Sequence, residues 1–433
     1  MSVTKVILVG IRWLLHSPRF ATRLVTVEKA RAILSNLSRN TPARDASVGP
    51  RQILADVSVI SRNDAGTGIQ RVVRELLRQM IANPPSGYVV RPVYATHWRG
   101  FRYADQYYAA LGGKEPDVAN TAKVVVRAGD IFIGMDLAAR TLPLYPFSLA
   151  RWKASGVRFF FIVYDLLPVL HPEWFTSSAV NAYRDWMRTV AIYADGAVCI
   201  SRSVANELKQ WLTLTYGKTV GESISATWFH LSGDISSGSS VHNSAGKGSA
   251  ELLDRLCKRP SILMVGTIEP RKGYDQILSA FDTLWKKGQN INLVIVGKAG
   301  WKVDELIQKL RNHPEAGSRL MWIEDADDEL LCDLYRSTDG LLMASKGEGF
   351  GLPIAEAARY HKPVLCRDLS VFRETTENQA TFFSDRTGTD LAATISSWVE
   401  LIQKRQAPTM NSVGPPTWRD SARALSRKLS ELS

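Results

Sequence analysis

The sequence predicts an α/β chain built from two doubly wound halves, and three observations carry that expectation. In each half, short apolar runs of strand length alternate with longer stretches whose apolar residues recur at helical spacing. Glycine-bearing turns follow several of those runs, where strand carboxyl ends open a crevice in such folds. A Ser- and Gly-rich stretch near the middle, SGDISSGSSVHNSAGKGS, has almost no large apolar side chains and reads as a linker over about 233–250, with the boundary near 245. At 433 residues and 45% apolar, the chain has enough material for two cores.

Composition narrows the function without choosing it. The formal charge of +12 suits an anionic partner, whether a nucleotide sugar, an acidic membrane surface or nucleic acid. No nucleic-acid module is recognisable among the spread-out basic residues, so a polyanion-binding role ranks last. The cysteines Cys199, Cys257, Cys332 and Cys366 have neither C-x-x-C pairing nor metal-ligand spacing. They read as buried thiols of a reducing compartment. No apolar run approaches the ~18 residues that span a bilayer, so the expected protein is cytoplasmic or peripheral at the inner face of a membrane.

Residues 1–50 read as a basic extension. VILVGI and WLL lie among Lys5, Arg12, Arg19 and Arg23, and VEKARAILSNL has helical spacing through Ala30, Ile33, Leu34 and Leu37. Such a segment can lie on an anionic membrane or pack on its own molecule. The first half then runs over 51–245. ILADVSVI is a strand, SRNDAGTG a loop, and IQRVVRELLRQMIA a helix with Ile69, Val72, Val73, Leu76, Leu77 and Met80 on one face. Gly66, Thr67 and Gly68 in that loop can bring backbone amides to a phosphate, although a plain tight turn has the same sequence. Further strands are expected at YVVRPVYA, DIFIGMD, FFFIVYD, GAVCI and SATWFHL. Asp165 ends the third of these; it is a candidate site residue or a turn-forming Asp. His171 and Trp174 just beyond are candidates for an acceptor groove, with core packing as the alternative.

The second half, 251–410, alternates more regularly. SILMVGT is a strand followed by a loop with Arg271 and Lys272, where cations beside a helix start can grip a diphosphate. INLVIVG, RLMWI, LLMAS and KPVLC are further strands, and Lys298 follows the first of them. DAD at 325–327 reads as the acidic start of a helix rather than as a metal site. Between LLMAS and KPVLC lies EGFGLPIAE. Gly349 and Gly351 permit close approach of a ligand, Pro353 opens a helix whose free N–H groups attract phosphate, and Glu348 and Glu356 bracket the turn. The last segment, 416–433, places Trp418, Ala422, Leu425 and Leu429 on one helical seam.

EGFGLPIAEAARYHKPVLCRD resembles the E-x7-E signature of the retaining glycosyltransferases of family 4, and VGTIEPRKG resembles that family's second motif. The resemblance spans about residue 51 to the C-terminus and is best over 260–375. It implies a GT-B fold, two Rossmann-like domains facing across a cleft, and a last helix that crosses back to the first. It further implies a nucleotide-sugar co-substrate with no other cofactor and no metal. Donor contacts would come from Gly266, Arg271, Lys272, Lys298, Gly349, Phe350, Gly351, Leu352 and Glu356, and from Gly66, Thr67 and Gly68. Glu348, with Asp165, would act at the transferred sugar, and His171 and Trp174 would meet the acceptor. Two features stand out: Tyr164 and Asp165 end the strand where relatives place a histidine or an acid, so a family histidine has no counterpart here, and TTEN stands at 375–378 where a glycine-rich turn is common. TGIQRVVREL and VYDLLPVLHPEWF are most similar to bacterial O-antigen and exopolysaccharide enzymes, so a GDP-mannose-type donor and a glycan or lipid-linked saccharide acceptor are expected. The competing reading on this fold is a nucleotide-sugar epimerase or a phosphorylase, although no cofactor lysine of a phosphorylase is evident.

Overall fold

A computed structural model describes residues 26–40, 50–113, 122–235, 247–410 and 415–432. It divides into two compact units. The first comprises the chain up to Val169, Ser177–His230 and the segment from Trp418; the second comprises Leu170–Thr176 and Leu231–Thr417. The division thus falls at 230/231, earlier than the position near 245 read from composition. A helix, Lys247–Leu256, begins inside the stretch assigned to the linker. Its apolar residues Leu252, Leu253 and Leu256 pack on the second unit's core, which is what orders that end.

The first unit holds a seven-stranded sheet in the order β3-β2-β1-β4-β5-β6-β7. Its strands are β1 Arg51–Asp56, β2 Tyr88–Tyr94, β3 Arg102–Tyr103, β4 Ile131–Gly134, β5 Arg158–Val163, β6 Gly196–Cys199 and β7 Ser225–Trp228. All pairings are parallel except the short β2/β3 ladder, which the sequence reading missed because two residues carry no periodicity. Phe132, Phe159, Phe160 and Phe161 are completely buried, as the strands of a doubly covered parallel sheet should be. The helix Gly68–Ala82 buries Val72, Val73, Leu76, Leu77 and Met80, with Gln70 and Glu75 in addition, while Ile69 is only half-buried. The helix Trp418–Glu431 buries the seam Trp418, Ala422, Leu425 and Leu429 and belongs to this unit.

The helix Val27–Asn40 also packs here, with Val27 and Leu34 buried in the first unit's core. Arg31 donates to the carbonyls of Ala191 at 2.9 Å and Ala194 at 3.0 Å, filling the carbonyl-rich end of the helix Ser177–Tyr193. Of the two readings left open for the basic extension, packing on the molecule's own body holds for residues 27–40. Residues 1–25 lie outside the described residues. Among the described residues no helix is long and apolar enough to cross a membrane.

The second unit holds a six-stranded sheet in the order β10-β9-β8-β11-β12-β13, parallel throughout. The strands are β8 Ser261–Val265, β9 Asn292–Val296, β10 Leu320–Ile323, β11 Gly340–Met343, β12 Val364–Arg367 and β13 Thr381–Phe383. Their residues divide with period two between two cores: Ile262, Met264, Leu293, Ile295, Leu342 and Leu365 on one face, Leu263, Val294, Leu341, Met343, Val364 and Cys366 on the other. In chain order this is 3-2-1-4-5-6, so the order reverses between β8 and β11. That reversal opens the crevice in which doubly wound sheets bind ligands.

Two smaller expectations need correction. Only Cys199 and Cys366 are buried; Cys257 is exposed just past a helix end and Cys332 is intermediate. Helical position, not the adjacent apolar letters, sets their exposure. The TTEN turn keeps the backbone shape that glycine would supply. Glu377 and Asn378 have φ of 50° and 60°, in the left-handed region. Asn tolerates that region, whereas Glu377 carries the strain of a side chain there. At 325–327, Asp327 is the N-cap of the helix Asp328–Ser337 and accepts from the Leu330 amide at 2.8 Å, as the acidic helix start predicts.

Candidate active site in the second unit

The loops leaving β8 and β11 meet at the sheet's reversal point. The short turn Pro270–Lys272 after β8 is closed by Gly273, which adopts a left-handed φ of 74°. A Cβ on Gly273 would stand 2.6 Å from the carbonyl oxygen of Ala344, at the end of β11. Only glycine lets the two strand ends come this close. The Lys346 amide then donates to the Arg271 carbonyl at 2.6 Å, joining one loop to the other.

On this frame Arg271, Lys272 and Glu348 converge. Arg271 reaches one Glu348 oxygen at 2.9 Å and the Gly347 carbonyl at 2.8 Å; Lys272 Nζ reaches the other Glu348 oxygen at 2.5 Å. Ser345 Oγ donates to Glu348 Oε1 at 2.9 Å, and Glu269 holds the far side of the guanidinium at 2.7 Å. All three charged groups are largely buried, with side chains 9–15% exposed. Burial by itself would raise the Glu348 carboxyl, but Arg271 and Lys272 outweigh it and hold the pKa at about 2, down from 4.5. The stabilisation that goes with this depression is full above pH 4.5 and is lost as pH falls through about 2. Over the neutral range Glu348 is a carboxylate fixed on two cations. The cluster can therefore trade its internal ion pairs for those of an anionic ligand.

The glycine turn follows directly. Gly351 has a φ of 88° and caps the helix Leu352–Arg359, with Pro353 in its first turn. Phe350 is buried and its carbonyl accepts from the Thr375 hydroxyl at 2.8 Å. Glu356 lies about one turn into the helix and is buried, and its carboxylate accepts from the Tyr335 hydroxyl at 2.7 Å. On the β8 side, the Gly266 carbonyl takes the hydroxyl of buried Tyr274 at 2.6 Å. Lys298 is not part of the cluster. It sits in the open on the loop after β9, paired with Asp325 at 3.1 Å.

Other sequence candidates fall elsewhere. His171 and Trp174 lie in the Leu170–Thr176 segment and stack on one another at 4.1 Å with nearly parallel rings. The Trp301 indole donates to the Trp174 carbonyl at 2.8 Å and Lys302 donates to that of Glu173 at 2.7 Å. Asp165, in the first unit, accepts from the Leu167 amide at 3.1 Å. Such an i to i+2 contact is that of an Asp-led turn. Thr67 caps the helix Gly68–Ala82 in a reciprocal pair with Gln70, and the Gln70 side chain also takes the Ala65 amide at 2.8 Å. The loop with Gly66 is thus fixed from within. Among the described residues, no group of three or more His, Cys, Asp or Glu is placed to hold a metal ion.

Sequence reasoning missed Glu269, Ser345, Tyr335 and Trp301. Glu269 and Ser345 sit within three residues of a named site residue, so motif spacing could have found them. Tyr335 is 21 residues before Glu356 on another helix, and nothing in the sequence pairs the two. Asp56 was missed as well. It ends β1 at the first unit's own reversal point, between β1 and β4, and is completely buried. Ser58 donates to its Oδ1 through both amide and hydroxyl, at 3.0 and 2.5 Å, whereas Oδ2 has no partner among the described residues. Burial, reinforced by the nearby Asp136 carboxylate and opposed by Ser58, lifts its pKa from 3.8 to about 7. Because the folded value is raised, the contribution to stability is full below 3.8 and declines as pH rises through about 7. Urea midpoints of the wild type are expected to fall between about pH 4 and 7 and to level off above that, and those of Asp56→Asn to vary much less. Parallel curves for the two proteins would show that Asp56 is not the group responsible.

Residues 255–412 match a family model described as glycosyl transferases group 1. Among curated proteins, the serotype-specific mannosyltransferase WbdA of Escherichia coli is 37% identical over 386 residues, covering 88% of this chain and 46% of WbdA. The O-antigen chain mannosyltransferase RfbU of Salmonella typhimurium is 26% identical over 174 residues, 40% of this chain and 46% of RfbU. The chain spans about half the length of the WbdA proteins it matches, 45–46%. Two solved structures share the fold at low identity. Anabaena HepE in complex with UDP-glucose superposes with a TM-score of 0.55 at 14% identity, covering 87% of this chain and 94% of HepE. Sucrose-phosphate synthase from Thermosynechococcus elongatus gives 0.56 at 15%, covering 88% and 98%. Residues 255–412 of the second unit thus match the group 1 glycosyltransferase model, in a chain with the two Rossmann-like units of the GT-B fold.

Proposed function

We propose that this chain is a metal-independent, retaining hexosyltransferase of the family 4 type. It moves a mannose-type sugar from a nucleotide diphosphate to a glycan or lipid-linked saccharide during bacterial surface-polysaccharide synthesis, at the cytoplasmic face of the membrane. The observation that carries the reading is the convergence of Arg271, Lys272 and Glu348 at the reversal point of a group 1 glycosyltransferase domain. WbdA and RfbU, both mannosyltransferases, support mannose as the sugar.

In this reading the paired phosphates of the donor lie against Arg271, Lys272 and the amides of the Gly349–Leu352 turn, and Gly266 leaves room beside them. Glu356, steadied by Tyr335, holds the ribose hydroxyls, Lys298 borders the base, and Glu348 orients the hexose. As the bond from the anomeric carbon to the phosphate oxygen breaks, negative charge builds on the diphosphate and positive character on the sugar ring. The cations meet the first and the Glu348 carboxylate faces the second. The acceptor hydroxyl attacks from the side the diphosphate leaves, a phosphate oxygen takes its proton, and configuration is kept. No cofactor enters. In the first unit, Asp165 and the loop of Gly66, Thr67 and Gly68 keep the roles the family resemblance gives them, and His171 and Trp174 those of acceptor contacts.

A melting panel of GDP-, UDP- and dTDP-sugars tests the reading, because a ligand that binds only the folded state raises apparent stability by mass action. GDP-mannose is expected to give the largest upward shift. Equal, negligible shifts for all three nucleotide classes would refute it.

A further inference from the structure

Trp98 is the most exposed large apolar side chain among the described residues, at 93%, and the proposed reaction gives it no task. It stands in the four-residue loop Thr96–Arg99 after β2, at the carboxyl edge of the first unit's sheet. That is the edge on which such sheets receive ligands.

The loop is rigidly built. The Thr96 amide donates to the Arg99 carbonyl at 2.9 Å. Thr96 Oγ1 in turn accepts from the amides of Arg99 at 3.0 Å and Trp98 at 3.3 Å. The Tyr145 hydroxyl donates to the Thr96 carbonyl, and the Tyr145 ring lies 3.7 Å from where a Cβ on Gly100 would be. Below the loop, the Ala95 amide donates to Ser58 Oγ at 2.9 Å, and buried Phe101 packs on Trp152 at 5.0 Å. Both ends are therefore anchored in the core, and the indole is carried out into water on a fixed stem.

An unburied indole forgoes the stabilisation that an aromatic side chain usually brings, so folding does not account for it. A fixed aromatic surface does suit binding, because little freedom is lost when a partner lands on it. The flat face of a hexopyranose presents C–H groups that stack on such a ring. His97 and Arg99, both exposed beside it, offer donors to the surrounding hydroxyls. A lipid surface would want a contiguous apolar face, and the immediate neighbours here are polar.

We propose that Trp98 is a stacking platform for the acceptor saccharide, a site for sugar rings of the growing glycan. This rests on the glycosyltransferase reading for its choice of partner. The test compares wild type, Trp98→Ala and Trp98→Phe in three measurements: mannotriose affinity by titration calorimetry, GDP-mannose affinity, and mannose transfer to mannotriose. The alanine variant is expected to bind mannotriose about tenfold more weakly, the loss of one ring contact worth roughly 1.4 kcal/mol. Phenylalanine should restore most of that, with GDP-mannose affinity and melting temperature unchanged in both. Unchanged mannotriose affinity in Trp98→Ala would overturn the platform while leaving the enzyme reading intact. So would a loss confined to binding of phosphatidylglycerol-containing vesicles, or a lowered melting temperature that weakens both ligands alike. Wild-type protein that binds mannotriose through Trp98 yet transfers no mannose would instead sink the glycosyltransferase reading and leave the platform standing.

Discussion

Glu348→Gln is expected to lower sugar transfer by about two orders of magnitude while leaving GDP affinity within a few fold of wild type or tighter. Such a loss is the size seen when one preorganised charge facing the transition state is removed, roughly 2.7–4 kcal/mol. Glutamine keeps the shape and an acceptor for Ser345, so the loop has little reason to move. What changes is charge. Arg271 and Lys272 share Glu348 as counter-ion, and after the substitution Glu269 is the acidic partner left to Arg271 among the described residues. The pocket becomes more positive, which favours the diphosphate product even as the group facing the sugar's developing positive charge is gone. Some stability is lost because buried cations are left less compensated. Retained GDP binding shows that the variant is folded, so the drop in turnover belongs to chemistry. Steady-state rates with saturating GDP-mannose check it; unchanged turnover would remove Glu348 from the reaction.

Lys272→Ala acts on the other half of the cluster. It deletes one cation that the diphosphate would meet and leaves the Glu348 carboxylate with Arg271 and Ser345. Charge-assisted contacts to phosphate are worth about 1.5–3 kcal/mol, so GDP affinity should fall about ten- to a hundredfold. GMP, with no second phosphate, should lose far less. This split separates a specific role from general damage, which would weaken both nucleotides equally.

Much of this was legible in the sequence, and what was not has physical reasons. Buried strands such as SILMV and FFFIV announce themselves as apolar runs, whereas their order in each sheet came only with the structure. The convergence of Arg271 and Lys272 on Glu348 was implied only by their places after strands that turn out to be neighbours in one sheet; the Lys272–Glu348 pair itself spans 76 residues. Tyr335 beside Glu356 and Trp301 beside Trp174 were invisible because contacts between helices or loops far apart in sequence leave no local period. Asp56 falls inside the apolar run ILADVSVI in the sequence and ends its strand only in the structure, where burial makes its carboxyl unusual. Trp98 was passed over since exposure of a tryptophan is a property of packing that failed to happen, which no pattern of letters records. The helix at Lys247–Leu256 escaped because its first turn is Ser/Gly-rich and its apolar seam engages a core assembled from distant strands.

The most direct measurement is a pair of calorimetric titrations, GDP and GMP, into the wild-type protein and into Lys272→Ala. If the loops after β8 and β11 hold paired phosphates, the wild type binds GDP at least tenfold more tightly than GMP, and the variant loses most of that difference. Wild-type protein that holds the two nucleotides equally, or a variant that keeps the full preference, would mean that Arg271, Lys272 and Glu348 form a structural ion cluster and that the donor is gripped elsewhere.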